Sequence, residues 1–384
     1  MKLKLKNTPE QVELVKAMGS KDHSVAREAQ EAFAAFLGPV IQKVLLTAGT
    51  ASNIFVDSQF DEDDSPSYPL DLYYGEGEGH VTVWSQNMAG GLPTSEVSGM
   101  QEVKIATYRL DSAVSFNKRY ARRARLDVIS KAIERMANEV LVKQERNAWA
   151  VVLKALADAE TNSLKHVARA TTTGDFVLAD LNKMMTLNKR INESYSGNTP
   201  IAPYSNGITD LYVSPEIMEK VRAFAYNPIN TTGASATFDQ TLSDNIREDI
   251  YRNAGMQSIY GVNLVELVEL GASKKYNKLF AELAITSATD NLEAITDDVD
   301  ANTGGSQAWD SDVHQVLVGI DNSRGAFVRP VARQHDSGGD GTFRALPDEQ
   351  FNMYGSRVEK TGFYGFLEEG RICIDARAIQ GLIV

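Results

Sequence analysis

From residue 51 to residue 103 this chain contains no lysine or arginine, yet it carries ten carboxylates there: Asp57, Asp61, Glu62, Asp63, Asp64, Asp71, Glu76, Glu78, Glu96 and Glu102. Such a segment cannot condense on itself, because its charges repel and nothing within it compensates them. It is also broken by Ser65-Pro66-Ser67, by Gly75-Glu-Gly-Glu-Gly79 and by Ala89-Gly90-Gly91-Leu92-Pro93, with few large apolar residues between. It cannot build a core alone and needs a partner surface to order it. Cations cluster soon after, at Lys118, Arg119, Arg122, Arg123 and Arg125.

The runs at 54–56, 70–74, 80–84 and 103–108 are rich in β-branched and aromatic residues, which makes the acidic segment an extended β-hairpin over about 53–110. After the cations there is no Gly or Pro from 125 to 157. Leu126, Ile129, Ile133, Met136 and Val140, then Trp149, Val152 and Leu156, mark an apolar stripe at helical spacing. That predicts one helix roughly 50 Å long at 1.5 Å per residue. The stripe is not a sustained heptad, so a coiled coil is not expected. Asp127 with Lys131 and Glu139 with Lys143 are spaced for i,i+4 pairing on its outer face.

Before the acidic segment, residues 8–48 read as amphipathic helical pieces punctuated at Gly19-Ser20 and Gly38-Pro39. They are too short to bury themselves and must dock, either on their own chain or on a neighbour. Beyond the long helix, 160–335 alternates helix and strand. Ser214-Pro215-Glu216 starts a helix with Ser at the cap, and the segment 321–325 between apolar runs reads as a hairpin turn. Three more strands, at 352–360, 363–366 and 371–375, and the apolar ending Gly381-Leu-Ile-Val place the C-terminal segment in a sheet.

Sites for chemistry are scarce. The five histidines, His23, His80, His166, His314 and His335, are scattered, without metal-ligand spacing. Cys373 is the single cysteine, in the apolar run Ile372-Cys-Ile374, where a buried thiol in a reducing compartment is the expectation. The Gly75 to Gly79 repeat resembles a phosphate loop only in its glycines, since its two carboxylates would repel an anion. Asp61 to Asp64 and the acids Asp297, Asp298 and Asp300 lack EF-hand spacing and read as solvated loops. No catalytic, cofactor or metal residue is assigned. A net charge of −12 disfavours a dedicated nucleic-acid binder, and no apolar run is long enough to cross a membrane.

The cations at 118–125 have three readings: a solvated helix start, a nucleic-acid patch, or a counter-surface for the acidic segment. Cations are disfavoured at a helix N-terminus. The third reading explains both charge anomalies together. The candidate intersubunit residues are therefore Asp61, Glu62, Asp63, Asp64, Glu76 and Glu78 on one side, with Lys118, Arg119, Arg122, Arg123 and Arg125 on the other.

The order of these parts resembles a tailed-bacteriophage major capsid protein with the Hong Kong 97 fold. The resemblance is carried by the Tyr73-Tyr-Gly-Glu-Gly-Glu-Gly79 segment, the Arg-rich entry to the long helix, and the ending Gly362-Phe-Tyr-Gly-Phe366 with Arg371-Ile-Cys-Ile-Asp375-Ala-Arg-Ala378. It implies an α+β fold of five parts: a helical N-arm at 1–50 lying along a neighbour, an extended loop with peripheral strands at 51–117, a spine helix at 118–161, an axial domain at 162–338, and a C-terminal return to the peripheral domain at 339–384. It implies pentamers and hexamers closing an icosahedral shell around double-stranded DNA in the virion, after assembly in the host cytoplasm. Its implied partners are other copies, a portal, a separate scaffold protein and a cement protein. With no lysine between 51 and 103, the isopeptide weld of some relatives is not expected. An encapsulin-type shell around protein cargo is the alternative within the fold; a metal-dependent hydrolase using the acidic loops is the alternative outside it.

Overall fold

The computed structural model describes residues 8–47, 49–61, 65–69, 102–161, 164–170, 174–195, 207–224, 248, 258–285, 312–333, 343–348 and 360–384. The expected strands at 70–74 and 80–84, the Gly-Glu repeat, the acids at 297–300 and all but the last residue of the expected strand at 352–360 lie outside those residues. The chain divides into two compact units. The first takes residues 1–68, 103–148 and 327–372; the second takes 69–102, 149–326 and 373–384.

The first unit is a mixed sheet covered by helices. Its sheet orders the strands Val56–Asp61, Phe327–Arg333, Lys360–Glu369 and Arg344–Asp348. Tyr108–Asn117 runs antiparallel along the whole of Lys360–Glu369, with Val114 opposite Phe363 and Leu110 opposite Leu367. Val56–Asp61 lies parallel to Phe327–Arg333. At its base the acidic segment pairs with itself as a hairpin requires, Ser67–Pro69 with Glu102–Lys104 in a two-stranded sheet, while the outer strands Val56–Asp61 and Tyr108–Asn117 pair with strands from late in the chain. The runs are also cut differently. Ile54 and Phe55 follow a short 3-10 turn, Ala51–Asn53, and the 103–108 run splits into Glu102–Lys104 and the start of Tyr108–Asn117.

Helices Pro9–Met18 and His23–Thr47 bury Val15, Met18, Phe33, Leu37 and Ile41 among Ile129, Ile133, Met136 and Val140 of the long helix and Phe363 and Leu367 of the sheet. Phe33 meets the Phe363 ring at 5.3 Å. Each of those five side chains is 2% exposed or less. At roughly 1.5–3 kcal/mol per buried side chain, this is ample to hold the helices on their own unit. Of the two dockings expected for this segment, the structure shows these side chains packed on their own chain, while Val25 and Phe36 of His23–Thr47 stay exposed. Gly38-Pro39 does not break the segment, since His23–Thr47 is one helix.

The long helix spans Leu126–Asp158, within a residue of the stretch its Gly- and Pro-free sequence predicts. Its residues up to Ala148 belong to the first unit, and from Trp149 onward to the second.

The second unit is built on a six-stranded sheet ordered Val167–Arg169, Ile379–Ile383, Val316–Ile320, Asp210–Val213, Val262–Glu266 and Ser258–Ile259. Trp149 is fully buried there, edge-on to Tyr212 at 5.0 Å and stacked on Tyr276 at 5.7 Å. Helix Leu178–Tyr195 contributes Leu181 and Met184 to a second cluster with Leu317 and Leu382. Gly381 lets the C-terminal strand pass close to Leu156, whose side chain would stand 3.0 Å from a Cβ and would have to shift. Pro215–Ala223 is capped as its sequence predicts, the Ser214 Oγ accepting from the Ile217 amide at 3.3 Å. The expected hairpin around 321–325 is not one. Val316–Ile320 pairs within the second unit while Phe327–Arg333 pairs within the first, so the turn, left-handed at Gly325, is a crossover. Strand Val262–Glu266 is followed by the 3-10 piece Val268–Leu270.

Candidate assembly surface

The basic residues occupy a short element of their own. Strand Tyr108–Asn117 ends at Asn117, whose side-chain oxygen accepts from the Arg119 amide at 2.9 Å and starts the helix Lys118–Arg122. Arg123 closes that helix, Ala124 turns left-handed at φ 48, and the long helix begins at Leu126. This removes the objection to cations at a helix start. Arg119 and Arg122 lie in the last turn of the short helix, the end that favours positive charge. Only Arg125 abuts the long helix, and it is bonded to Asp127 of its first turn at 3.2 Å. The hydrogen bond from Arg125, with its charge, holds the Asp127 carboxyl below the usual carboxylate range. Asp127 is thus engaged backward by Arg125.

Arg119, Arg122, Arg123 and Arg125 are exposed and Lys118 half-buried. Arg122 also has a task within its unit: its Nε donates to the Gly19 carbonyl at 2.8 Å, fastening the turn between the two N-terminal helices. Of the predicted acidic partners, Asp61 is exposed at the end of Val56–Asp61, in register with Arg333. Asp61, Arg333, Gln59 and Tyr68 line a polar cleft of about 460 Å³. Glu62, Asp63, Asp64, Glu76 and Glu78 lie outside the described residues. At the base of the acidic segment, the Ile105 amide donates to the Pro66 carbonyl at 3.0 Å.

Sequence reasoning missed a buried ion network in the first unit. Glu369 is fully buried and accepts from the Tyr108 hydroxyl at 2.8 Å and from Gln144 Nε2 at 3.0 Å. Arg371 approaches it at 3.2 Å, and Arg329 at 3.9 Å. Arg329 in turn forks onto Asp57 at 2.6 and 2.7 Å. Two guanidiniums thus meet two carboxylates across four strands and the long helix, Glu369 buried between them and Asp57 at the exposed end, where water also screens its charge. Burial, then the Glu369 charge, pushes the Tyr108 phenol up to about 12. The available signal was a charged residue at a buried strand position, Arg329 within the apolar run Phe327–Arg333.

The second unit holds a similar chain of charges. Arg377 forks onto Asp375 at 2.8 and 3.0 Å, and Arg324 reaches Asp375 at 3.1 Å and Asp321 at 3.5 Å. Burial works to raise the Asp375 carboxyl, but the Arg377 fork and the Arg324 charge outweigh it and hold its pKa below the ordinary value. His166 is fully buried, its Nδ1 2.9 Å from the Ala376 carbonyl and 3.1 Å from that of Ile379. Burial drives its pKa down, against the pull of those carbonyls and of Asp375. Burial pushes the Cys373 thiol up to about 12, which leaves it protonated and unreactive near neutrality. Among the described residues no group of three or more His, Cys, Asp or Glu could hold a metal ion, and no helix is long and apolar enough to cross a membrane.

No protein-family model matches the chain. No curated protein sequence matches it either. Among solved structures it is similar to phage capsid proteins. A chain of Microbacterium phage Oxtober96 is 13% identical at a TM-score of 0.47, covering 88% of this chain and 91% of that one. The capsid of cyanophage Pam1 is 11% identical at 0.46, covering 85% and 88%. The SrpI encapsulin of Synechococcus elongatus is 8% identical at 0.38, covering 74% and 75%. All three scores fall below 0.5.

Proposed function

We propose that this chain is a structural shell subunit, a phage major capsid protein that assembles with copies of itself through rings of five and six into a closed icosahedral head enclosing double-stranded DNA. The first unit, with the long helix up to Ala148, forms the peripheral part of the subunit; the second unit, which takes the rest of that helix and the last strand Ile379–Ile383, forms the axial part. The acidic segment of one copy meets the cations at 118–125 of the next. Portal, scaffold and cement proteins complete the particle in the host cytoplasm, and the mature site is the virion. The chain performs no catalysis.

One observation carries this reading. The acidic segment rejoins its unit at 102–107, whereas the cations lie at the far end of Tyr108–Asn117. Ten extended residues separate them by roughly 33 Å. The basic turn is therefore presented away from the base of its own acidic segment, where a neighbour's can reach it. In a chain of net charge −12, copies need such a complementary pair to approach each other. Many modest contacts repeated around a closed shell then suffice, since avidity multiplies weak interfaces.

Arg119→Glu combined with Arg123→Glu tests this. The variant should fold with a normal near-ultraviolet spectrum and form no shells. Adding Asp63→Lys and Asp64→Lys should restore part of the assembly. Normal shells from the Arg119→Glu, Arg123→Glu variant without the added lysines would refute the pairing.

A further inference from the structure

Tyr260 sits at the tip of the hairpin joining Ser258–Ile259 to Val262–Glu266. Its φ is 53° and that of Gly261 is 81°, positive values at both central residues, as in a type I′ turn. That turn selects Asn or Asp ahead of Gly, because their short side chains tolerate the left-handed region; a bulky ring does not. Inside the subunit the ring gains little, for at 58% it is the most exposed large hydrophobic side chain among the described residues. A strained, exposed aromatic on a two-residue turn is built to be presented.

We infer that the Tyr260 hairpin tip is a contact between copies of this chain. The partner follows from charge. Residues 253–265 contain no Asp, Glu, Lys, Arg or His, in a protein of net charge −12. Like-charged copies repel over most of their surface, and an uncharged projection is where two can touch without desolvating an ion. On the adjoining strand, Asp210 is held by Asn263 at 3.1 Å and by the Thr209 hydroxyl at 3.0 Å. An amphipathic ring that lodges in a neighbour's surface is the usual form of an interface anchor. This rests on the shell-subunit reading and names a surface within it.

The test compares the concentration at which assembly begins, by light scattering, for the wild type and Tyr260→Asn. Asparagine fits the turn, so the melting temperature should hold or rise, while the onset should move at least about tenfold higher. An unchanged onset overturns the inference and leaves the shell reading standing. A wild type that never assembles overturns both. Hydroxyl-radical footprinting of the wild type gives a second readout that needs no variant. Oxidation of Tyr260 should fall several-fold on assembly, and undiminished oxidation overturns the contact.

Discussion

Arg122 donates its Nε hydrogen to the Gly19 carbonyl at 2.8 Å, and a Cβ at Gly19 would stand 2.7 Å from the Arg122 backbone nitrogen. The turn between the N-terminal helices and the turn before the long helix are therefore fitted to each other. The five cations are not equivalent. Arg122 is structural in part, Arg125 is engaged by Asp127, and Arg119 and Arg123 are the ones to mutate in a test of assembly.

Arg122→Ala should lower subunit stability by about 1 kcal/mol, the usual worth of one such hydrogen bond. Arg123→Ala should leave it within about 0.5 kcal/mol, as for an ordinary surface change. Urea unfolding of the two variants side by side decides it. Equal stabilities would mean that the Gly19 bond contributes nothing.

Glu369→Ala removes one carboxylate from beneath two guanidiniums. Removing the buried partner of a buried charge costs about 3–5 kcal/mol, because the Arg371 guanidinium left behind is itself buried. The chemical midpoint of unfolding should fall accordingly. A loss under about 1 kcal/mol would show that water reaches the cluster.

Gly362→Ala probes the sheet. A Cβ there would lie 2.4 Å from the Val114 carbonyl oxygen, a backbone atom held in a ten-residue ladder. Overpacking against backbone costs about 1–3 kcal/mol or displaces the strand. Thermal melts should show the loss, and amide exchange along Tyr108–Asn117 should quicken near Ser115. Unchanged protection would contradict the register.

Acid should weaken the second unit. His166 is neutral when folded and its pKa is lowered by burial, so the unfolded chain binds a proton first as pH falls. Its contribution is complete above the ordinary histidine value of 6.5 and is lost as pH drops from there toward the folded value. Asp375, also lowered, adds a second loss below the ordinary 3.8. Melting temperature should decline between pH 7.5 and 5, and His166→Gln should flatten that decline. A flat wild-type profile would contradict the buried neutral ring.

Local signals in the sequence were readable and long-range pairings were not. The long helix showed itself because nothing from 125 to 157 interrupts it, and Ser214-Pro215 announced the helix Pro215–Ala223 by its cap. The pairing of Val56–Asp61 with Phe327–Arg333 joins residues such as Asp57 and Arg329 that stand 272 positions apart, beyond any local pattern. The turn at 321–325 misled for the same reason: its residues make a good turn, but they do not choose the strands on either side. The basic cluster was visible as residue types. Its division of labour was not, because Arg122 finds its acceptor 103 residues away.

The most direct measurement is electron microscopy of negatively stained particles from the chain expressed alone and together with the products of genes adjacent to its own. Closed shells, or free rings of five and six, are the predicted result. A monodisperse monomer at every concentration, with and without those companions, would contradict the account at its centre.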